Sequence, residues 1–369
     1  MCNQVVIKFF YNDITKFQKW SVQMTIKTCA LSLLSVAALC STAAARDQIK
    51  IVGSSTVYPF TSYVAEEFKA VTGNKTPVVE STGTGGGMKL FCAGAGLDTP
   101  DFTNASRPMK AEEFETCVKN GVTDITGMMV GFDGIAVAQS KSNGEIALSK
   151  EQLFLALAEE VPSKDDKSLI KNPYKTWNEI DAKLPNRKIT VYGPPTTSGT
   201  RDSFDEMVME TASKKFDAYG DKKGKYKAIR QDGAFVPAGE NDNLIVQKLT
   251  KDTAAFGIFG YSFLEENGDK INGAVVDGVA CTSENISSGK YPISRSLYIY
   301  AKNSHRAEVK GMDEFFKLYV DDKMVGQKGV LKTIGLVPMT SEDLKKVQAA
   351  VLAKTKLTDE MVKKHTILP

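Results

Sequence analysis

The sequence is poor in the residues that catalytic and metal sites usually require. It has two histidines, His305 and His365, and six cysteines that form no Cys-x-x-Cys pair and no cluster with histidine. A nucleophilic serine normally needs a histidine base, and zinc sites need closely spaced cysteine and histidine ligands. Gly-x-Ser-x-Gly and His-Glu-x-x-His motifs are absent as well. We therefore expect no catalytic residue, no metal and no cofactor, and we expect both histidines at the surface.

The fingerprints of nucleotide-binding proteins are also missing. The glycine-rich run at residues 83–87 is followed by Met88, where a dinucleotide-binding turn needs a third small residue. Lys89 is followed by Leu90 rather than by the Ser or Thr that ends a P-loop. This run therefore predicts no nucleotide site.

The chain lacks a long run of charge of one sign. It contains 47 basic and 44 acidic residues, and the first 45 residues hold four of the lysines and one aspartate. The remaining residues therefore hold 43 basic and 43 acidic side chains. Proteins that bind nucleic acid through phosphate electrostatics carry basic patches, so this balance argues against a nucleic-acid partner.

A membrane-spanning run is not predicted either. The apolar run at residues 29–40 is too short to cross a hydrocarbon core of about 30 Å. Lys27 precedes it, and Ala43-Ala44-Ala45 follows it as a small-residue cleavage site would. We predict that residues 1–45 form a cleavable signal region, with Met24 as an alternative start, and that the mature protein is periplasmic.

Export bears on the cysteines, because disulfides form in an oxidising compartment. The mature chain would keep Cys92, Cys117 and Cys281. Cys92 and Cys117 lie in one stretch and could pair, which would leave Cys281 over.

The most informative stretch runs from residue 189 to residue 211. A short strand-like segment is followed by a Gly/Pro turn and then by a helix with Phe204, Met207 and Val208 at apolar spacing. The turn offers the hydroxyls of Thr197, Ser198 and Thr200. A helix start has unpaired N–H groups and a partial positive charge, so hydroxyls at this point suit an oxyanion.

Three further turns that lead into predicted helices have the same chemistry. One turn carries Ser55 and Thr56, the next carries Thr84 and the third carries Ser106. In two of the four turns an arginine, Arg107 or Arg201, follows the hydroxylated residue directly. In α/β sheets, ligands bind outside the carboxyl ends of the strands, where such turns gather. Each turn alone is better explained as structural, but four of one type favour an anion site.

Strands alternate with helices along the rest of the chain, which predicts an α/β fold with separate lobes. The apolar segment at residues 125–138 is predicted as a strand that crosses between the lobes, and residues 256–261 as the strand that returns. We divide the chain into a signal region (1–45), a first part of lobe 1 (46–132), lobe 2 (133–262), and a return to lobe 1 with C-terminal helices (263–369).

Four motifs occur in the order seen in periplasmic phosphate-binding proteins, the substrate-binding components of phosphate ABC transporters. They are Gly-Ser-Ser-Thr-Val-Tyr-Pro at 53–59, Thr-Gly-Thr-Gly-Gly-Gly at 82–87, Asn-Ala-Ser-Arg-Pro at 104–108 and Thr-Ser-Gly-Thr-Arg-Asp at 197–202. The chain resembles this family over most of its mature length. The resemblance implies a two-lobed α/β periplasmic binding protein of type II, with a hinge and a phosphate cleft between the lobes.

The resemblance also implies which residues bind. Hydroxyls and backbone N–H groups of the first two turns would face a phosphate-binding cradle, formed by Ser198, Gly199 and Thr200, from the other lobe. In a branch of the family that has Ser-Arg-Pro and Ser-Gly-Thr-Arg, as this chain does, the arginines would supply the positive charge. The implied phosphate ligands are Ser55, Thr56, Thr84, Ser106, Arg107, Ser198, Gly199, Thr200 and Arg201.

The sequence departs from well-studied members at two points. They have an aspartate near Ser106 that accepts the phosphate proton, where this chain has Arg107. They also have an arginine shortly before Ser-Gly-Thr, where this chain has Pro194 and Pro195. The proton acceptor stays open between Asp133 and Asp202.

The expected partners are a phosphate ion and the permease subunits of an ABC importer, for a protein that is a monomer. Three other functions stay open from the sequence: a binding protein for sulfate or molybdate, a secreted phosphoester hydrolase, and a surface adhesin.

Overall fold

The computed structural model describes residues 46–220, 222, 224–239 and 242–364. The predicted signal region and His365 therefore lie outside the described residues. The strands are β1 (Lys50–Gly53), β2 (Val78–Ser81), β3 (Phe102–Ala105), β4 (Ile125–Ser140), β5 (Ala147–Leu148), β6 (Glu160–Pro162), β7 (Leu169–Lys171), β8 (Val191–Gly193), β9 (Phe235–Pro237), β10 (Phe256–Gly260), β11 (Ile271–Gly273), β12 (Val275–Val276) and β13 (Ser294–Lys302).

Helices alternate with these strands over most of the described chain. They are α1 (Tyr58–Thr72), α2 (Thr84–Phe91), α3 (Ala111–Lys119), α4 (Lys150–Leu157), α5 (Trp177–Ile180), α6 (Gly199–Phe204), α7 (Thr211–Ser213), α8 (Asp242–Lys251), α9 (Tyr261–Glu266), α10 (Ser283–Ser287), α11 (Met312–Tyr319), α12 (Asp322–Val325), α13 (Ser341–Leu352) and α14 (Asp359–Lys363). A π-helical turn, Asp205–Glu210, joins α6 to α7, and short 3₁₀ turns occupy Lys225–Lys227, Asn303–Ala307 and Val330–Ile334.

One mixed sheet runs through the molecule, in the order β2-β1-β3-β13-β4-β10-β8-β9, with β11 also paired to β4. Strand β4 belongs to both halves of this sheet. Its residues 125–134 pair with β13, and its residues 135–139 pair with β10. We call the half that contains β1, β2, β3 and β13 the first lobe, and the half that contains β8, β9 and β10 the second lobe.

The crossing strand was predicted correctly from its composition. Fifteen of the 16 residues of β4 are buried, with Gly127 the one that is half-buried. A strand that is covered on both faces reads as a continuous apolar run rather than as an alternating one, which is how residues 125–138 read. The strand predicted at 256–261 is present as β10, which pairs with β4 in the second lobe. Its predicted role of returning the chain to the first lobe stays a prediction.

The exact lobe boundaries stay a prediction. Strand β11 pairs with residues 138–140 of β4, so residues 271–273 belong to the second-lobe half of the sheet. We propose that the chain returns to the first lobe at β13, later than residue 263.

The prediction of a surface position for His305 was wrong. Its side chain is 2% exposed, and its Nδ1 lies 2.7 Å from Oδ1 of Asp101. Asp101 is fully buried and also pairs with Arg46. Both ring nitrogens face hydrogen-bond acceptors, since the backbone carbonyl of Ala95 lies 3.0 Å from Nε2. These polar partners make burial of the ring tolerable.

The disulfide that the sequence left open is present. Cys92 and Cys117 form a disulfide, and Cys281 is a buried free thiol. The disulfide ties the end of α2 to α3, the two helices that follow the turns with Thr84 and Ser106. Among the described residues, no helix is both long and apolar enough to cross a bilayer.

We expect the Cys92→Ala/Cys117→Ala variant to lose about 3 kcal/mol of unfolding free energy, because the disulfide removes loop entropy from the unfolded chain. Thermal melts with and without a reductant check this. The reductant should lower the melting temperature of the unsubstituted protein and of Cys281→Ala, and should leave the double variant unchanged. A reductant shift of equal size in the double variant would contradict the prediction.

Candidate anion-binding site

The predicted turns lie at strand ends, as the sequence suggested. In the first lobe, β1 pairs in parallel with both β2 and β3, so the turns after these three strands meet at one edge of the sheet. The close fit of α2 against β1 requires glycine, because a Cβ at Gly87 would lie 2.4 Å from Cα of Gly53. The fourth turn follows β8 in the second lobe and leads into α6.

The first turn of the first lobe touches the second lobe directly. The hydroxyl of Ser55 donates to Oδ2 of Asp202 at 2.6 Å. The hydroxyl of Thr56 lies 3.4 Å from the carbonyl oxygen of Gly199 and 3.2 Å from Oγ of Ser203. Two of the predicted ligands, Ser55 and Thr56, therefore face the predicted cradle across the lobes.

Glycine at position 199 makes this approach possible. A Cβ on Gly199 would lie 2.9 Å from both the carbonyl oxygen of Ser55 and Cα of Thr56. These neighbours are backbone atoms, which cannot rotate away as the tip of a side chain can. Ser198 caps the helix that begins here, since its Oγ accepts from the N–H of Thr200 at 3.2 Å.

Helical spacing explains which side chains of α6 reach the first lobe. Gly199, Asp202 and Ser203 are separated by three and four residues, so they share one face of the helix. That face meets the Ser55–Thr56 turn. Residues on the opposite face pack into the second lobe.

Arg201 is on that opposite face and does not reach the cleft. Its Nε donates to Oδ1 of Asp205 at 2.9 Å, and its guanidinium stacks on Phe235. Its side chain is 5% exposed. Burial raises the pKa of Asp205 to about 6, although the positive charge of Arg201 opposes this shift. The structure therefore gives Arg201 a role in the core of the second lobe.

Arg107 is also held by a carboxylate. Two of its nitrogens donate to the two carboxylate oxygens of Glu113, at 2.9 and 2.7 Å. Burial alone would raise the pKa of Glu113, but these hydrogen bonds and that of the Lys110 N–H hold it below its ordinary value. Thr84 and Ser106, in contrast, bond each other, with their hydroxyl oxygens 3.1 Å apart.

Arg295 is the cationic residue that the sequence reasoning missed. It comes from β13, and its Nη2 donates to Oγ1 of Thr56 at 2.6 Å and also to Oγ of Ser203. Its Nη1 donates to Oε2 of Glu206 at 2.6 Å. The guanidinium therefore bridges the two lobes. The available signal was a charged residue between two serines at the start of a strand that is otherwise apolar.

Asp133 lies behind Arg295, on the crossing strand. Its Oδ2 accepts from the hydroxyl of Ser203 at 2.8 Å and lies 3.6 Å from Nε of Arg295. Burial raises the pKa of Asp133, and the charge of Arg295 opposes this effect. Asp202, the other open proton acceptor, receives its bond from Ser55.

Seven of the nine predicted ligands line two cavities of the cleft, and Ser55 and Arg201 line neither. Arg295 lines the second cavity and bonds to Thr56 of the first. A cavity of about 390 Å³ is lined by Thr56, Asp133, Ser198, Gly199 and Thr200, among others. A second, of about 530 Å³, is lined by Thr84, Ser106, Arg107, Glu206 and Arg295, among others. A larger groove of about 760 Å³ in the second lobe contains none of the predicted ligands. The convergence of hydroxyls with a bridging arginine makes the cleft the better candidate.

Two α/β lobes that share one long strand and close on a polar cleft define a two-lobed substrate-binding protein of type II. The PBP superfamily domain matches residues 41–323. Protein SphX of Synechococcus elongatus is 32% identical over 85% of this chain and 86% of its own length. Phosphate-binding protein PstS of Staphylococcus saprophyticus is 32% identical over 75% of this chain and 76% of its own.

A solved structure agrees with these relatives. A "possible phosphate binding protein" from Planctomyces limnophilus superposes with a TM-score of 0.69 at 27% identity, over 84% of this chain and 99% of that protein. The chain belongs to the PBP superfamily and, within it, to the family of SphX and PstS, a family of substrate-binding transporter components.

We expect Gly199→Ala to disturb the contact between the lobes, because its Cβ would collide with the Ser55–Thr56 backbone. Overpacking of this kind costs roughly 1–3 kcal/mol unless the lobes separate. A lower melting temperature would report the overpacking, and a larger radius of gyration in small-angle scattering would report the separation of the lobes. Gly144→Ala is the control, because a Cβ there meets nothing within 4 Å. Identical behaviour of the two variants would contradict the prediction.

Proposed function

We propose that this protein binds inorganic phosphate in the inter-lobe cleft and delivers it to an ABC importer. The observation that carries the proposal is the meeting of Thr56, the start of α6 and the Arg295 guanidinium across the two lobes. Relatives named as phosphate-binding proteins support the choice of anion. Family membership supports transport, and the predicted signal region supports a periplasmic site of action.

The donors are sufficient in kind and number. The hydroxyls of Thr56, Ser198 and Thr200 at one cavity and of Thr84 and Ser106 at the other supply neutral donors, and Ser55 joins them when it turns from Asp202 to the anion. The first turn of α6 supplies backbone N–H groups, and Arg295 supplies the charge. A hydrogen bond to a charged group contributes about 1.5–3 kcal/mol. Four or five such bonds cover the roughly −8 kcal/mol of micromolar binding, after the cost of closing the lobes. Exclusion of water strengthens them further.

Arg295 takes the place that the sequence assigned to Arg107 and Arg201. Both of those guanidiniums are paired with carboxylates of their own lobe, at Glu113 and Asp205. Arg295 also replaces the arginine that well-studied relatives have where this chain has Pro194 and Pro195. The charge then comes from β13 of the first lobe rather than from the second.

We assign the proton acceptor to Asp133. Its carboxylate lines the same cavity as Ser198, Gly199 and Thr200, whereas Asp202 is not among the residues that line it. A carboxylate accepts a hydrogen bond from an anion that carries a proton, as hydrogen phosphate does at neutral pH. Sulfate carries none and would be repelled. This assignment favours phosphate over sulfate and molybdate.

A hydrolase finds less support than a transport protein. His305 is bonded to Asp101 in the first lobe and is not among the residues that line the two cleft cavities. The relatives are transporter components.

Isothermal titration with phosphate tests the site. The unsubstituted protein should bind, and Ser55→Ala and Thr200→Ala should each weaken binding roughly tenfold, since each removes one hydrogen bond to a charged group. Thr116→Ala, which removes a hydroxyl of α3 that bonds Glu112, should bind as the unsubstituted protein does. Unchanged affinity in both site variants would refute the placement of the site. Stabilisation by sulfate but not by phosphate, in a thermal-shift panel that includes molybdate and arsenate, would refute the choice of anion.

Asp133→Asn should reduce the preference for phosphate over sulfate, because the amide can donate to an unprotonated anion. The ratio of the two dissociation constants, measured by titration at neutral pH, reports the change. Asp202→Asn is the comparison, and it should leave the ratio unchanged, because its amide oxygen can still accept from Ser55 and any change at this bond affects both anions alike. A change of ratio in Asp202→Asn alone would transfer the acceptor role to that residue.

A further inference from the structure

The Arg295 guanidinium is shared between the cleft and a carboxylate of the second lobe. Its Nη2 is occupied by the hydroxyls of Thr56 and Ser203, and its Nη1 donates to Oε2 of Glu206 at 2.6 Å. Its Nε is buried and lies 3.6 Å from Oδ2 of Asp133, an ion pair that is too long to be a hydrogen bond. Nη1 is therefore the nitrogen through which a carboxylate is hydrogen-bonded to the guanidinium.

The two partners differ in their freedom to move. The Arg295 side chain is 12% exposed, whereas the Glu206 side chain is 57% exposed. A carboxylate that leaves Nη1 can be hydrated at once, so its release costs little. The guanidinium lies between the lobes and would lose its contacts to Thr56 and Ser203 if it moved. Exchange at Nη1 thus requires only that the Glu206 side chain swing outward.

Glu206 also lies in the cleft, in the cavity that Arg295 itself lines. It lines the cavity of about 530 Å³ together with Thr84, Ser106, Arg107 and Arg295. Its carboxylate faces the first lobe, since it accepts from Arg295 of β13. It is part of the π-helical turn Asp205–Glu210, a type of irregularity that is frequent at functional sites.

We propose that Glu206 is an internal competitor of the bound oxyanion for Nη1 of Arg295. This inference rests on the proposed function, since it concerns the affinity of the same cleft. The Glu206 carboxylate neutralises the charge of the guanidinium and occupies one of the two N–H groups of Nη1, so the affinity for the oxyanion is lower than the bare donor set would give. When the oxyanion leaves, Glu206 restores the charge balance of the guanidinium. Glu206 therefore sets the affinity without being a ligand.

Glu113 and Asp205 do not fit this role. Glu113 holds Arg107 through both oxygens and is 20% exposed, and Asp205 is 10% exposed inside the second lobe. Release of either carboxylate would leave a poorly hydrated charge. Among the carboxylates that hold arginines at this cleft, Glu206 is the one that water can readily accommodate.

The test is phosphate titration of Glu206→Gln with a matched control. Removal of the competing charge should tighten phosphate binding roughly two- to fivefold, the range that corresponds to a partly exposed ion pair. Glu210→Gln makes the same change of charge one turn away, at a carboxylate that pairs with Lys214 at 2.7 Å and not with Arg295. It should bind phosphate as the unsubstituted protein does.

The same substitution made in a protein that lacks Arg295 separates competition for the guanidinium from a general effect of charge. In Arg295→Gln, the substitution Glu206→Gln should no longer tighten binding, because no guanidinium remains to compete for. Unchanged or weaker binding by Glu206→Gln in the native background would overturn the inference, and so would equal tightening by Glu210→Gln. Failure of the unsubstituted protein to bind phosphate would overturn the proposed function itself, and this inference with it.

Discussion

The contact of Gly199 with the Ser55–Thr56 backbone is the constraint on which the cleft depends. Backbone from two lobes can meet this closely only where one partner lacks a Cβ. The contact brings a capped helix start against a turn rich in hydroxyls, and it places both next to β13. Arg295 can then reach Thr56 in its own lobe and Ser203 in the other. The polar groups of the site are thus gathered by a steric fit rather than by attraction between charges.

Pairing of charges decides which arginine serves the site. Three arginines occur near the cleft, and carboxylates hold them all: Arg107 is paired with Glu113, Arg201 with Asp205, and Arg295 with the exposed Glu206 and the buried Asp133. A buried ion pair is costly to break, because it leaves an uncompensated charge in a medium of low polarity. A pair with one exposed partner is cheap to break. The solvation of the carboxylate therefore distinguishes a structural arginine from one that can bind.

Much of the fold could be predicted from local patterns. The crossing strand β4, the strand β10, the hydroxyl-bearing turns before helices and the two α/β lobes follow from periodicity, turn chemistry and the order of four motifs. The disulfide was foreseen only as an option, because sequence proximity does not fix the distance between two side chains. Burial of His305 was missed, since its partner Asp101 is about 200 residues away in the chain.

The sequence by itself determined the class of site: small hydroxylated residues in turns that follow strands and lead into helices. Only the tertiary structure decided which charged groups face the cleft. Arg201 adjoins the key turn in sequence, yet helical geometry turns it into the second-lobe core, and Arg295 is almost 100 residues away yet bridges the lobes. The physical reason is that hydroxyls and backbone N–H groups are fixed by the turn that carries them. The position of a long charged side chain depends instead on where its counter-charge lies in the folded molecule.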